Sequence, residues 1–293
     1  MQPKDFIYCH KNNHMLNTIY KDAIEKRSKT LLNIKGPNFD QILERARTNW
    51  IEYKPSKKLI PIAGIDSSFN SAKFQGLELW VVTAISIKSN CEILADLHDQ
   101  DVGRVNIALS SIATKMEVEA CKMSIDKTDL VLIDGSLYSQ FMTRQKELSH
   151  PIIKIISRNN NVIFVSKTSN TRIQFSEFQS NASDIFYYNH ATTKPGFSKI
   201  FVDDKFGRNK SISSVFARLS EYTPIIKIEF LGNNYSEREV KETLNKLYKN
   251  SIGGYPYVLK LAHQKCKISN NDLSKLVRLY GLSNEIGSRE VLE

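Results

Sequence analysis

The chain has 293 residues, 41% hydrophobic and 25% charged, which is enough apolar material for one large domain or two small ones and excludes a disordered chain. No run approaches the roughly 20 apolar residues of a membrane-spanning helix; the best, residues 77–87, contains Glu78, and no basic-then-apolar leader opens the chain, so a cytoplasmic protein without membrane association is expected. Forty-one Lys and Arg against 31 Asp and Glu give a net charge of +10 with no basic tail to account for it, which favours a polyanionic partner, nucleic acid foremost.

In chain order, residues 10–50 read as helical in two pieces broken at Gly36-Pro37. The second piece opens near Asn38 and carries Phe39, Ile42, Leu43 and Ala46 at helical spacing. Cys9, His10 and His14 form a weak metal-ligand group at the start. The other cysteines, Cys91, Cys121 and Cys266, are isolated; no zinc-knuckle spacing occurs, and free thiols are expected. A basic connector, residues 53–58, leads to a strand at 60–66, a polar turn at 67–73, a strongly β-forming run within 74–88 and a third strand at 91–97. Residues 103–123 read as a helix with Val105, Leu109, Ile112, Met116, Ala120 and Met123 on its apolar stripe.

A strand at 130–134 follows. Its crossover helix makes it parallel to the first strand if the two share a sheet. A helix at 139–149 and a buried strand at 161–166 come next. Residues 167–195 are polar and weakly patterned, with Phe175, Phe178, Tyr187 and Tyr188 between basic residues. Such rings stack on bases in some proteins, but core packing is their commoner fate. Strands at 199–203, 212–217 and 224–230 form a second meander. A helix at 236–248 opens with Ser236 and Glu239 in capping-box spacing, and a last helix covers 269–282. The organisation expected is a helical segment at 1–58, a mixed α/β domain at 59–265 and a C-terminal helix at 266–293.

Two strand-then-acid segments carry the chemistry: Ile62-Ala63-Gly64-Ile65-Asp66-Ser67-Ser68 and Leu130-Val131-Leu132-Ile133-Asp134-Gly135-Ser136. Each aspartate alone fits a turn or cap. As a matched pair on neighbouring strands they suit a divalent cation and phosphoryl chemistry. A third acid would come from the helix at 103–123, where Glu117 and Glu119 flank the apolar stripe on opposite sides and periodicity does not choose between them. Near the C-terminus, Gly253-Gly254 permits a tight turn before Tyr255-Pro256, and His263 follows eight residues after Tyr255. A lone histidine there is more often structural; its functional reading is metal ligation, proton transfer or phosphate contact.

Taken in order, the Ile65-Asp66-Ser67-Ser68 strand end, the glutamate-bearing helix, the Asp134-Gly135-Ser136 run, Tyr255-Pro256 and Ala262-His263 resemble the NurA nuclease family over roughly residues 60–265. The resemblance implies a ribonuclease-H-like fold and a manganese-dependent DNA nuclease, with magnesium as the alternative ion. It implies 5′ to 3′ exonuclease activity on single- and double-stranded DNA and endonuclease activity on single strands. It further implies a homodimer that docks on the hexameric HerA helicase-translocase and acts in archaeal DNA end resection and recombinational repair. By position, Asp66, Glu117 and Asp134 become metal ligands, and Glu117, 17 residues before Asp134, fits the family's spacing better than Glu119. Tyr255 and His263 complete the catalytic set, and Lys167 and Arg172 become DNA contacts. Asp-Ser-Ser stands where the family often has Asp-Gly-Ser, and the chain is short for the family, which bears on translocase docking more than on catalysis. The competing readings are a structure-selective endonuclease such as a junction resolvase, and a non-catalytic DNA-binding adaptor of a translocase, against which the intact acids argue.

Overall fold

The structure, a computed structural model, describes residues 14–103, 108–137, 161–204 and 211–285. Its elements are helix α1 (His14–Lys35), α2 (Phe39–Thr48), strand β1 (Trp50–Glu52), β2 (Ile62–Lys73), β3 (Glu78–Lys88), β4 (Ile93–Gly103), α3 (Leu109–Ser124), β5 (Leu130–Asp134) and β6 (Val162–Ser166). After these come α4 (Asp184–Ala191), β7 (Gly196–Ser198), β8 (Phe201–Asp203), β9 (Ile212–Arg218), β10 (Ile226–Leu231), α5 (Glu237–Lys249), the short pair β11 (Ser251–Ile252) and β12 (Tyr255–Pro256), α6 (Tyr257–Cys266) and α7 (Asn270–Leu279). The helix expected at 139–149 and the Cys9–His10 part of the N-terminal ligand group lie outside the described residues.

One ten-stranded mixed sheet runs β1-β7-β9-β10-β6-β5-β2-β3-β4, with β8 paired to β9. Within it, β2, β3 and β4 form an antiparallel meander, and β5 and β6 follow parallel to β2. The order β4-β3-β2-β5-β6 is that of the ribonuclease H fold. The crossover helix α3 makes β5 parallel to β2, as a one-helix connection requires. The second meander joins the same sheet, because β10 pairs antiparallel with β6.

Three sequence readings need correction. Residues 67–73 are not a turn: they extend β2, pairing from Ser67 with Ala84 to Lys73 with Glu78. The β-forming run of β3 imposes the ladder on a serine-rich partner that has little strand preference of its own. The third strand likewise reaches Gly103, so the helix after it begins at Leu109 rather than 103. Finally, the buried face of α3 shares only Ala120 with the predicted apolar stripe. Ala113, Glu117, Val118, Ala120, Cys121 and Ser124 are buried, while Met123 is 40% exposed. Small residues let α3 lie close on the sheet, and Ser124 Oγ donates to Ser86 Oγ at 2.6 Å across that contact.

The two sheet faces are covered differently. On one, α3 packs over β2–β5, and α2 with α4 packs over Phe216 and Ile225. Phe175, Tyr187 and Tyr188, all fully buried, fill this second layer, so these rings are core and not a base-stacking platform; Phe178 packs at its edge. On the other face, α5 and α6 bury Val240, Leu244, Leu247, Val258 and Leu259 against β5, β6, β9 and β10. The capping box expected for α5 is present, with Ser236 Oγ accepting from Glu239 N and the Glu239 carboxylate from Ser236 N. Helix α6 comes so close to β2 that a Cβ on Gly64 would stand 2.6 Å from the Val258 carbonyl group. That approach sets where the end of α6 meets Asp66.

Candidate active site

The parallel register of β2 and β5 pairs Ile65 with Ile133, so Asp66 and Asp134 follow side by side on adjacent central strands. Asp66 sits in mid-strand, not at a strand tip, and is buried; Asp134 ends β5 and is partly open. Helix α6 brings His263 to the pair: its Nδ1 lies 2.8 Å from Asp66 Oδ2. Ligand atoms of Asp66, Asp134 and His263 all lie within 4.8 Å of one another. The tight turn at Gly253 and Gly254, both at positive φ, delivers Tyr255, whose hydroxyl donates to Asp134 Oδ1 at 2.9 Å. Lys167, the first residue after β6, donates to Asp134 Oδ2 at 2.9 Å and lies 4.8 Å above the Tyr255 ring.

The two glutamates on α3 separate cleanly. Glu117 is buried and accepts from Ser67 Oγ at 2.5 Å, beside Asp66; Glu119 is exposed and pairs with Lys122 at 2.8 Å. Burial pushes the Glu117 carboxyl up to about 7, with the Asp66 and Asp134 charges adding to the shift against the Ser67 hydrogen bond. Asp66 is raised for the same leading reason, burial, and then by the charge of Asp134. Burial, then the charge of Asp134, also raises the Tyr255 phenol, which therefore stays protonated and acts as a donor.

Three clustered carboxylates and an imidazole are hard oxygen and borderline nitrogen donors, the set that suits Mn²⁺ or Mg²⁺. The upward shifts at Glu117 and Asp66 are the response of acids held near one another in a low-dielectric site, and a dication among them would relieve both. The donor chemistry therefore fits a divalent metal.

A cleft of about 510 Å³ opens from Asp134 along the segment after β6, lined among others by Gly135, Lys167, Ser169, Asn170 and Arg172. It brings both predicted DNA contacts, Lys167 and Arg172, to one side of the acids. The reading from sequence missed the groups behind Asp134. Ser166 Oγ donates to the Gly135 carbonyl at 2.7 Å, and Ser136 Oγ donates to Glu229 Oε1 at 3.2 Å. Nothing in the strand Ile226-Lys227-Ile228-Glu229-Phe230 marks Glu229 as a neighbour of Asp134; only the sheet order does.

Comparison with known proteins bears on the family and the fold. The NurA domain family model matches residues 61–268. The chain is 29% identical to the DNA double-strand break repair nuclease NurA of Saccharolobus solfataricus, with 91% of this chain and 96% of that one covered. It is 23% identical to the protein of the same name from Sulfurisphaera tokodaii, with 90% and 93% covered. A Methanocaldococcus jannaschii relative carrying the same family name is 27% identical over 60% of this chain, and the match spans about half of that protein. Among solved structures, the NurA nuclease from Sulfolobus solfataricus superposes with a TM-score of 0.78 at 22% identity, covering 90% of this chain and 96% of that one. A NurA structure bound to dAMP and manganese superposes at 0.66 and 12% identity, covering 93% and 99%. At these identities the superpositions establish the shared fold.

Proposed function

The chain belongs to the NurA family, and from that premise we propose that it is a metal-dependent DNA nuclease acting in double-strand break repair. The observation that carries the proposal is the meeting of Asp66, Asp134 and His263 within 4.8 Å, with buried Glu117 beside them. The names of the curated relatives and the manganese in a related structure support the same reading.

In this reading Asp66, Asp134 and Glu117 hold the ion or ions. A divalent cation held there would supply Lewis-acid polarisation of the phosphodiester and activation of water. Tyr255 fixes the rotamer of Asp134 through its 2.9 Å hydrogen bond. With Nδ1 on Asp66, His263 offers Nε2 to the phosphate or the attacking water. Lys167 and Arg172 take the DNA backbone along the cleft, and their charge answers the net +10 of the chain. The finer activity proposed is 5′ to 3′ exonucleolytic cleavage of single- and double-stranded DNA with endonucleolytic cleavage of single strands. The partners proposed are a second copy of the chain and a HerA-type hexameric translocase.

The test is cleavage of 5′- and 3′-labelled single- and double-stranded DNA with Mn²⁺, Mg²⁺ or EDTA, beside Asp134→Ala. Release of nucleotides from the 5′ end with metal is expected, silenced by EDTA. In Asp134→Ala it should fall by about three orders of magnitude, the scale of a few kcal/mol of lost transition-state stabilisation. A folded Asp134→Ala protein of full activity would refute the site.

A further inference from the structure

Strand β10 alternates Ile226, Ile228 and Phe230, buried under α5 and α6, with Lys227 and Glu229 on the opposite face. In an isolated hairpin that alternation would place the two charges in water. Here they are 4% and 1% exposed and paired, Lys227 Nζ to Glu229 Oε1 at 2.5 Å. A buried ion pair is weak evidence for stability, because desolvation of both charges offsets their attraction. This pair has a second engagement, and it leads to Asp134. Register carries it across three strands: Glu229 lies opposite Phe164 on β6, and Phe164 opposite Ile133 on β5.

Just beyond Ile133 the chain turns through Asp134-Gly135-Ser136, with Gly135 at φ +113. Three hydrogen bonds among the described residues engage that turn. Gly135 N donates to Val165 O at 3.0 Å, Ser166 Oγ donates to Gly135 O at 2.7 Å, and Ser136 Oγ donates to Glu229 Oε1 at 3.2 Å. The first two come from the neighbouring strand. The third reaches one strand further, to a carboxylate that Lys227 fixes in place. Asp134 thus faces the site while the turn after it is tied on the far side of the sheet.

We propose that Glu229, held by Lys227, is a positioning residue: through Ser136 it sets the direction in which Asp134 presents its carboxylate to a divalent cation. The inference rests on the nuclease reading above. Groups that orient a metal ligand without touching the metal commonly change affinity or activity by about 10- to 100-fold when removed.

Three variants test it, each read by Mn²⁺ affinity in calorimetry and by kcat and KM on labelled single-stranded DNA. Lys227→Met with Glu229→Met replaces the ion pair by apolar residues of similar size and removes the acceptor for Ser136. Lys227→Met with Glu229→Gln removes both charges but keeps an acceptor oxygen. Ser136→Ala leaves the ion pair intact and cuts the link. The Met/Met and Ser136→Ala variants are expected to bind Mn²⁺ about 10-fold more weakly and to lose kcat about 10- to 100-fold with KM little changed. The Met/Gln variant should recover most of both.

Wild-type affinity and kcat in Ser136→Ala overturn the proposal, and Ser136→Ala carries the test alone if the Met/Met protein does not fold. A Met/Gln protein as impaired as a folded Met/Met protein assigns the effect to charge and overturns positioning. If the wild-type protein neither binds Mn²⁺ nor cleaves DNA, the nuclease reading falls and this one with it. A working wild type with unaltered variants sinks this one alone.

Discussion

The two halves of the sheet handle buried polar groups in opposite ways. In the half built from β1, β7, β9 and the helices α2 and α4, each buried charge is spread over local partners. Arg218 donates to the carbonyls of Thr223 and Thr192 and to Asn189 Oδ1, and Asp184 accepts from Ile173 N. Around them Phe175, Tyr187, Tyr188 and Phe216 pack with ring centroids 5.3–5.6 Å apart. In the half built from β2, β5, α3 and α6, like charges are collected: burial and then the charge of Asp134 raise the proton affinity of Asp66, and burial with the charges of Asp66 and Asp134 raises that of Glu117. The first arrangement sets each charge among neutral hydrogen-bond partners. The second costs stability while its acids are ionised, a cost that a divalent cation among them would offset.

Substitutions in the two halves should therefore fail differently. The largest effect on stability belongs to the aromatic half: Phe175→Ala should lower unfolding free energy by about 3–5 kcal/mol. Activity per folded molecule should be unchanged below the melting transition. Denaturant unfolding beside single-turnover cleavage checks both, and a specific loss of catalysis in folded protein would erase the distinction.

The acid-bearing half should show itself through pH. Glu117 is ordinarily near 4.5 and is pushed up to about 7 in the fold. The folded chain therefore holds this proton where the unfolded chain releases it. Metal-free stability from this group is intact below pH 4.5, falls as pH rises towards 7, and is level above that. The fall is on the order of 3 kcal/mol. Melting in EDTA from pH 5 to 8, wild type against Glu117→Gln, reads it, and Mn²⁺ should restore the wild type at pH 8. Parallel pH curves for the two proteins would contradict the charge-collecting picture.

Gly64→Ala tests the seam between the strand and α6. The added Cβ has no room against Val258, so the helix must shift, at about 1–3 kcal/mol, and His263 moves away from Asp66. Weaker Mn²⁺ binding should accompany the lower melting temperature; loss of stability with unchanged Mn²⁺ affinity would mean that α6 does not set the site. The smallest effect is expected from Glu119→Gln, which removes an exposed pair with Lys122. Its stability should stay within about 0.5 kcal/mol and its cleavage rate near wild type. A large loss of activity would return the third-acid role to Glu119.

Much of this was legible in the sequence because it depends on neighbours in the chain. The break at Gly36-Pro37, the capping box of α5, the apolar strands β5 and β6 and the turn at Gly253-Gly254 follow from local backbone preference and spacing. So did the chemical identity of the acids, since a carboxylate following a buried strand stands out against apolar residues. Other features depend on partners far away in the chain. The serines of β2 form strand because β3 supplies the ladder. Glu117 is buried and Glu119 exposed because α3 lies on the sheet by its small residues, a face that hydrophobic periodicity did not select. Lys227 and Glu229 are inside because further layers cover a face that alternation alone would leave in water. Local sequence thus determined the apolar strands, the cap of α5 and the identity of the acids. Sheet order and helix contact, which exist only once the chain is folded, decided which acids meet, which helix face is buried and what stands behind Asp134.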